Sequence, residues 1–201
     1  MVCCKAAETN DTVRLKSYIL RRDPNPTVLP TITQAAMATS AAVSFFEPVQ
    51  IGARTYIDGG LGINNPVDEV EDEACNIWCR NTGITELQRR TKCFLTIGTG
   101  HPGINAVPDK ATRFIVRTLK DMATETETTA RKSKHKWRQQ FDSGTYFRFN
   151  VDHGLGDIGL EEFRKAATIE SATESYLKSR HAQSMMNRCT RALEERQCVY
   201  E

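Results

Sequence analysis

Asp58 is the residue of this sequence best placed to do chemistry. It follows Tyr56-Ile57, a β-forming pair, and precedes Gly59-Gly60. Two residues without side chains let the chain turn sharply after a strand and leave the carboxylate uncovered. Such a carboxylate can take the proton of a neighbouring hydroxyl, help worth about 10²–10⁴-fold where the geometry is right. The plain alternative is an Asp that accepts hydrogen bonds from its own turn amides, and an isolated Asp-Gly-Gly favours that alternative.

A base needs a nucleophile to activate. No serine here has glycine two residues before and two after it, the spacing of a strand-to-helix elbow. Ser40 lies in Ala38-Thr39-Ser40-Ala41-Ala42, which reads as helix rather than elbow, so it is expected to pack beside the site. Gly98-Thr99-Gly100 is the one tight glycine pair after an apolar run. It is too short for a phosphate loop and no Lys follows it, so it reads as a strand-end turn. His101, His135, His153 and His181 are scattered and suggest no triad; His153, beside Asp152 and ahead of a glycine-rich loop, is the one to place in the structure. The cysteines Cys3, Cys4, Cys75, Cys79, Cys93, Cys189 and Cys198 are odd in number. They read as reduced, buried thiols in a cytoplasmic setting. Cys75 and Cys79 share a helical spacing, yet no second ligand pair completes a zinc site.

The elements that must position these residues follow from pattern. Val2-Cys3-Cys4 and the run from Val13 to Ile19 read as a strand, a turn and a second extended piece. Pro24, Pro26 and Pro30 make a loop. Thr31 or Thr33 caps a short helix through Gln34-Ala38. Val49-Ile51 and Thr55-Ile57 form a hairpin-like pair around Gly52. Asn65 then reads as a helix cap, with Pro66 at the first helical position and Asp68 and Glu69 in the first turn. Val67, Val70, Ala74, Ile77 and Trp78 recur as an apolar stripe, and Gly83 ends that helix.

Cys93-Ile97 is a short buried strand. Residues 109 to 124 are helical, with Phe114, Ile115, Leu119 and Met122 on one side. The Thr-rich stretch from 124 to 129 reads as a break or a weak helix, before a second helical piece that holds Trp137 and Phe141. Residues 145 to 151 are the best strand by propensity. Gly154, Gly156 and Gly159 form a loop, and a helical segment from 160 to about 196 breaks near His181. Helices alternating with short buried strands argue an α/β fold with a mostly parallel sheet.

The 201 residues suit one ordinary domain or most of a larger one, and 39% hydrophobic content supports a real core. The formal net charge of +2 gives no footprint for nucleic acid. No apolar run reaches the roughly 18 residues of a membrane span. Arg131, Lys132, Lys134, His135, Lys136 and Arg138 surround Trp137. One reading of that cluster is contact with anionic lipid headgroups; the other is a solvated helix face. Cys198-Val199-Tyr200-Glu201 has only the outline of a prenylation box, because Glu is not a usual last residue.

Five blocks together resemble the patatin-like phospholipase family. They are Ala38-Thr39-Ser40-Ala41-Ala42, Phe45-Phe46-Glu47-Pro48-Val49, Tyr56-Ile57-Asp58-Gly59-Gly60-Leu61, Asn64-Asn65-Pro66 and Leu95-Thr96-Ile97-Gly98-Thr99-Gly100. Phe147-Arg148-Phe149 and Leu160-Glu161-Glu162-Phe163 extend the likeness, which is greatest to fungal multidomain members. Val43 stands where many members have Pro, a local change of turn. The resemblance implies a three-layer α/β/α fold and a lipid acyl hydrolase with a Ser–Asp dyad. Asp58 maps onto its catalytic Asp, and Gly59, Gly60, Asn64, Asn65, Pro66, Thr39 and Ser40 onto the frame around it. The nucleophile and oxyanion loop lie upstream in the family and have no counterpart here. No metal or organic cofactor is implied. Residues 1–201 then correspond to the C-terminal part of a single patatin-like domain, with 160–201 its terminal helical segment. A phospholipid or other lipid is the implied substrate, and the chain alone is expected to be inactive. A different class of reading also stands: a non-catalytic lipid- or protein-binding module derived from such a domain.

Overall fold

A computed structural model describes residues 1–20, 29–79, 83–101, 113–156, 158 and 163–194, with 113–121 as backbone. The proline loop through Pro24 and Pro26, the side chains of Phe114, Ile115 and Leu119, Gly159, the segment 160–162 and Cys198 lie outside the described residues.

Two sheets organise the chain. The larger has the order β2-β1-β4-β3, from β1 (Val2–Ala6), β2 (Thr12–Leu15), β3 (Val49–Ile51) and β4 (Arg54–Asp58), and every pairing in it is antiparallel. The expectation of a mostly parallel sheet fails here for a topological reason. β1–β2 and β3–β4 are joined by short turns, which connect only antiparallel neighbours. The smaller sheet pairs β5 (Phe94–Ile97) with β6 (Tyr146–Phe149) in parallel. Its crossover runs through the 24-residue helix α5 (Arg113–Lys136) and α6 (Arg138–Ser143). Mixed α/β is therefore the class, with parallel pairing confined to β5 and β6.

The helices before the crossover are α1 (Ile32–Thr39), the short helical turn α2 (Gly60–Ile63), α3 (Val67–Trp78) and α4 (Ile84–Arg90). A 3-10 turn at Phe163–Lys165, α7 (Ala166–Lys178) and α8 (Arg180–Glu194) follow β6. α1 carries a full capping box: Thr31 accepts from the Gln34 amide, and the Gln34 side chain accepts from the Thr31 amide. The break before α8 falls at Ser179, two residues ahead of His181. No helix among the described residues is long and apolar enough to cross a membrane.

Each sheet has its own core. Cys4, Leu15, Ile51 and Tyr56 pack with Ala38 of α1 against the larger sheet. Trp137, Tyr146, Cys79 and Leu87 form the second core, with Phe94 set edge-on to both Trp137 and Tyr146. Trp137 is 1% exposed. It therefore belongs to the interior and not to a lipid-facing surface, although Arg131, Lys132 and Lys134 beside it are exposed.

Of the two readings of the Thr-rich stretch the helical one holds, and α5 runs unbroken through it. Thr126 is held there by Asn64 and Asn65, and Thr129 donates to Glu125, so tertiary contacts override modest propensity. On α3 the apolar stripe is buried only in part: Val67 is 3% exposed and Ala74 packs against the second core. Val70 and Trp78 are 39% and 59% exposed, while Glu71 and Glu73 are 2% and 4% exposed. The two carboxylates go inside because both are fully partnered. Glu71 accepts from Trp137 Nε1 at 2.7 Å, Lys136 Nζ at 2.5 Å and Ser133 Oγ at 3.4 Å. Glu73 accepts from Arg14 at 3.3 Å, Lys16 at 3.1 Å and Tyr18 at 3.2 Å. Paired and hydrogen-bonded charges are the ones an interior accepts.

Candidate active site

Asp58 is the last residue of β4, paired in register with Cys4 of β1 in the middle of the larger sheet. Its amide donates to the Ala41 carbonyl at 3.0 Å, which ties the end of β4 to the segment after α1. The carboxylate is half-buried, and Oδ1 accepts from the Gly60 amide at 2.8 Å. The self-bonded turn expected of an ordinary Asp-Gly-Gly is therefore present. It uses one oxygen; among the described residues, Oδ2 accepts no hydrogen bond.

The two glycines are required by different neighbours. A β-carbon on Gly59 would lie 2.8 Å from the Cys3 carbonyl oxygen, so the turn crosses directly over the backbone of β1. The same carbonyl accepts from Thr39 Oγ1 at 2.6 Å, which anchors the end of α1 there. A β-carbon on Gly60 would meet the Met122 methyl of α5 at 2.6 Å. Gly62 has φ of +102° and completes the bend of α2.

Asn64 and Asn65 join this turn to α5. Asn64 Nδ2 donates to Thr126 Oγ1 at 2.8 Å, and Asn65 Nδ2 to the Thr126 carbonyl at 3.4 Å. Asn65 is therefore a cross-link to α5 and not the cap of α3. The capping position is taken by Pro66, whose carbonyl accepts the Val70 amide, and the helix begins at Val67. Nothing in the sequence marks Met122 or Thr126 as neighbours of this turn: Met122 reads as part of an apolar helix side and Thr126 as part of the Thr-rich stretch.

Ser40 closes the C-terminus of α1 and is exposed; its amide donates to Met37 at 3.2 Å. No serine hydroxyl among the described residues bonds to Asp58. The four histidines are all exposed. Gly98-Thr99-Gly100 forms a strand-end turn around Asn150, whose Oδ1 accepts the Gly100 amide at 2.9 Å. A β-carbon at Gly98 would overlap that side chain. An apolar cavity of about 270 Å³ opens at the carboxyl ends of β5 and β6, lined by Ile97, Phe149, Val151, Leu155 and Ile169 among others. Asp58 is not part of its lining.

Burial raises the thiols beside the site. Cys4 is pushed up to about 12 by loss of water and by the neighbouring Cys3 thiol. Cys3 is also raised, by burial first and then by the charge of Glu69. Neither is a thiolate near neutral pH, so neither stands in for the missing serine.

Residues 4–70, which hold β1 from Cys4 onward, α1, β4, Asp58 and the Asn64-Asn65-Pro66 turn, match the family described as patatin-like phospholipase. A protein of Methylocella silvestris named polyribonucleotide nucleotidyltransferase is 28% identical over 178 residues. That match takes in 84% of this chain and 22% of the relative, so the chain spans about a fifth of that protein's length.

Proposed function

We propose that this chain carries the base-bearing part of a serine lipid acyl hydrolase. The observation that carries the reading is the Asp58 carboxylate: it ends an interior strand within the family-matched segment, one oxygen held by Gly60 and the other left for a proton. In the proposed reaction a serine from a G-x-S-x-G segment outside these 201 residues attacks the ester carbonyl of a phospholipid or acylglycerol. Asp58 takes the serine proton and returns it to the departing alcohol. Water then releases the acyl group from serine by the same route in reverse. Donors for the oxyanion come from the same outside segment.

The finer fold proposed for the complete domain is three-layer α/β/α, with the parallel sheet extended beyond β5. Leu95 and Ile97 are 40% and 75% exposed on β5, unusual for parallel strands, whose faces are normally covered. The proposed setting is cytoplasmic, where cysteines rest as thiols until an oxidant is supplied. Contact with a membrane surface falls to exposed Arg131, Lys132 and Lys134 without help from Trp137. Nucleotidyl transfer, in the name of the Methylocella relative, is not carried to this chain, because a formal charge of +2 gives no electrostatic basis for nucleic acid.

The test is reconstitution. The chain is mixed with a polypeptide bearing the G-x-S-x-G segment, and hydrolysis of a short-chain ester is followed. Asp58→Asn should lower the rate by about 10²–10⁴-fold. A variant as active as the parent refutes the assignment. The chain alone should resist stoichiometric labelling by a fluorophosphonate. The absence of a serine partner at Asp58 favours a second reading, a lipid- or protein-binding module without catalysis. That reading predicts vesicle or partner binding by the chain alone and no activity on reconstitution.

A further inference from the structure

Cys93 opens β5's approach and Cys189 lies on α8, 96 residues apart in sequence, yet their sulfurs stand 4.0 Å from each other. Cys189 is 6% exposed and Cys93 is half-buried. Neither takes part in the chemistry proposed for Asp58. The other neighbouring thiols cannot link distant parts of the fold. Cys3 and Cys4 are consecutive on one strand and face opposite sides of it. Cys75 and Cys79 are one helical turn apart at the end of α3.

The contact is fixed by a second packing feature. Gly144 ends α6 in the left-handed conformation, φ +78°, and the Arg188 guanidinium lies where its β-carbon would be. Arg188 and Cys189 are consecutive, so α8 is seated on the β5–β6 unit at this point. A disulfide needs the sulfurs at about 2.05 Å, so oxidation has to bring these two about 2 Å closer.

We propose that Cys93 and Cys189 form a reversible disulfide that clamps α8 to β5, with a low-molecular-weight disulfide such as glutathione disulfide as the oxidant. The more accessible Cys93 reacts first. Its thiolate attacks one glutathione sulfur, the glutathione S–S bond breaks, and one glutathione thiolate leaves. The Cys189 thiolate then attacks the Cys93 sulfur and expels the second glutathione thiolate. One protein S–S bond has formed, both protein thiols have lost their protons to solvent or to the leaving thiolates, and two glutathione thiols are produced. The bond closes a loop of 96 residues, long enough to restrict the unfolded chain strongly.

The experiment incubates the full chain in glutathione buffers of rising oxidised fraction, traps thiols with acid and alkylation, and maps the linked peptides by mass spectrometry. The expected result is a Cys93–Cys189 linked peptide that dithiothreitol reverses, accompanied by a higher melting temperature. Cys93→Ser and Cys189→Ser should each remove both the link and the rise in melting temperature. Because Cys189→Ser alters a buried position, Cys93→Ser carries the test should the other variant fail to fold, with circular dichroism as the check. A chain that stays reduced, that stops at a stable glutathione adduct on Cys93, or that links a different pair overturns the proposal.

Discussion

Replacing Gly59 and Gly60 singly by alanine separates two reasons for the paired glycines. Gly59 has φ of −67° and ψ of −16°, ordinary for any residue, so backbone freedom is not what it supplies. Its new β-carbon would sit 2.8 Å from the Cys3 carbonyl oxygen and 3.1 Å from the Ile63 methyl. The carbonyl belongs to β1, which is hydrogen-bonded on both sides by β2 and β4 and cannot retreat without loosening the sheet. Overpacking of this kind costs about 1–3 kcal/mol. The lower entropy of the unfolded alanine chain returns about 0.4–1 kcal/mol. The net loss for Gly59→Ala then lies within about 0–2.6 kcal/mol and centres on about 1.3, or about 3–5 °C in melting temperature for a chain of this size. At Gly60 the obstacle is the Met122 methyl, the end of a flexible side chain that can swing aside, so Gly60→Ala should cost less than about 1 kcal/mol. Urea unfolding of both variants, followed by fluorescence and circular dichroism, measures the difference. Equal stabilities, or a Gly60→Ala variant weaker than Gly59→Ala, would refute the claim that the turn is locked against β1.

The buried carboxylate of α3 gives a second contrast. Glu71→Leu strands the Trp137 indole N–H, 1% exposed, and should cost about 1–3 kcal/mol, whereas Glu71→Gln keeps an acceptor for it and should cost under about 1 kcal/mol. Lys136 is half-exposed and can return to water in both, so urea midpoints that do not separate the two variants sink this reading. Alkaline stability supplies a third. The Cys4 thiol is raised from 9.0 to about 12 in the folded chain, so the unfolded chain loses this proton first. Stability from Cys4 is present in full below pH 9 and is lost as pH rises from there toward 12. Lys136 adds to the same trend. Burial works against its charge, but its hydrogen bond and ion pair with Glu71 prevail, and its contribution fades only above the ordinary lysine range. Melting temperatures taken from pH 8 upward should fall less steeply for Cys4→Ala than for the parent, and parallel curves would count against the account. Cys4 should also be the slowest described thiol to react with iodoacetamide at pH 8.

The local elements were legible because their signals are local. Thr31 and Gln34 announce the capping box of α1, Gly52 marks the β3–β4 turn, and the apolar runs at Phe94 and Tyr146 are strands. The strand-end position of Asp58 was legible from Tyr56-Ile57 before it and the two glycines after it. The direction of strand pairing was not legible. Alternating helices and strands suggest crossovers, but here two hairpins built most of the sheet before any long helix intervened. α4 escaped notice because its seven residues, largely polar, contribute only Leu87 as a fully buried side chain.

α3 shows why apolar periodicity alone does not fix a helix's buried face. Val67 and Ala74 of the stripe do turn inward, yet Val70 and Trp78 stay exposed while Glu71 and Glu73 are buried. A carboxylate goes inside only when its partners are already placed, and those partners come from three separate elements. Arg14 and Lys16 lie on or after β2, Lys136 ends α5, and Trp137 begins α6. None is close to α3 in sequence. The arrangement has a consequence for the site. Glu73 fastens α3 to the larger sheet, Glu71 fastens it to the end of α5, and Thr126 of α5 in turn grips Asn64 and Asn65 next to Asp58. The loop that follows Asp58 is thereby held between two helices that the buried carboxylates fix in place. Loss of Glu71 should therefore be felt at Thr126 as well as at Trp137, and amide hydrogen exchange at Gly60 and Asn65 should quicken in Glu71→Leu but not in Glu71→Gln. Exchange that quickens only around Trp137 would show that the two ends of α5 act independently.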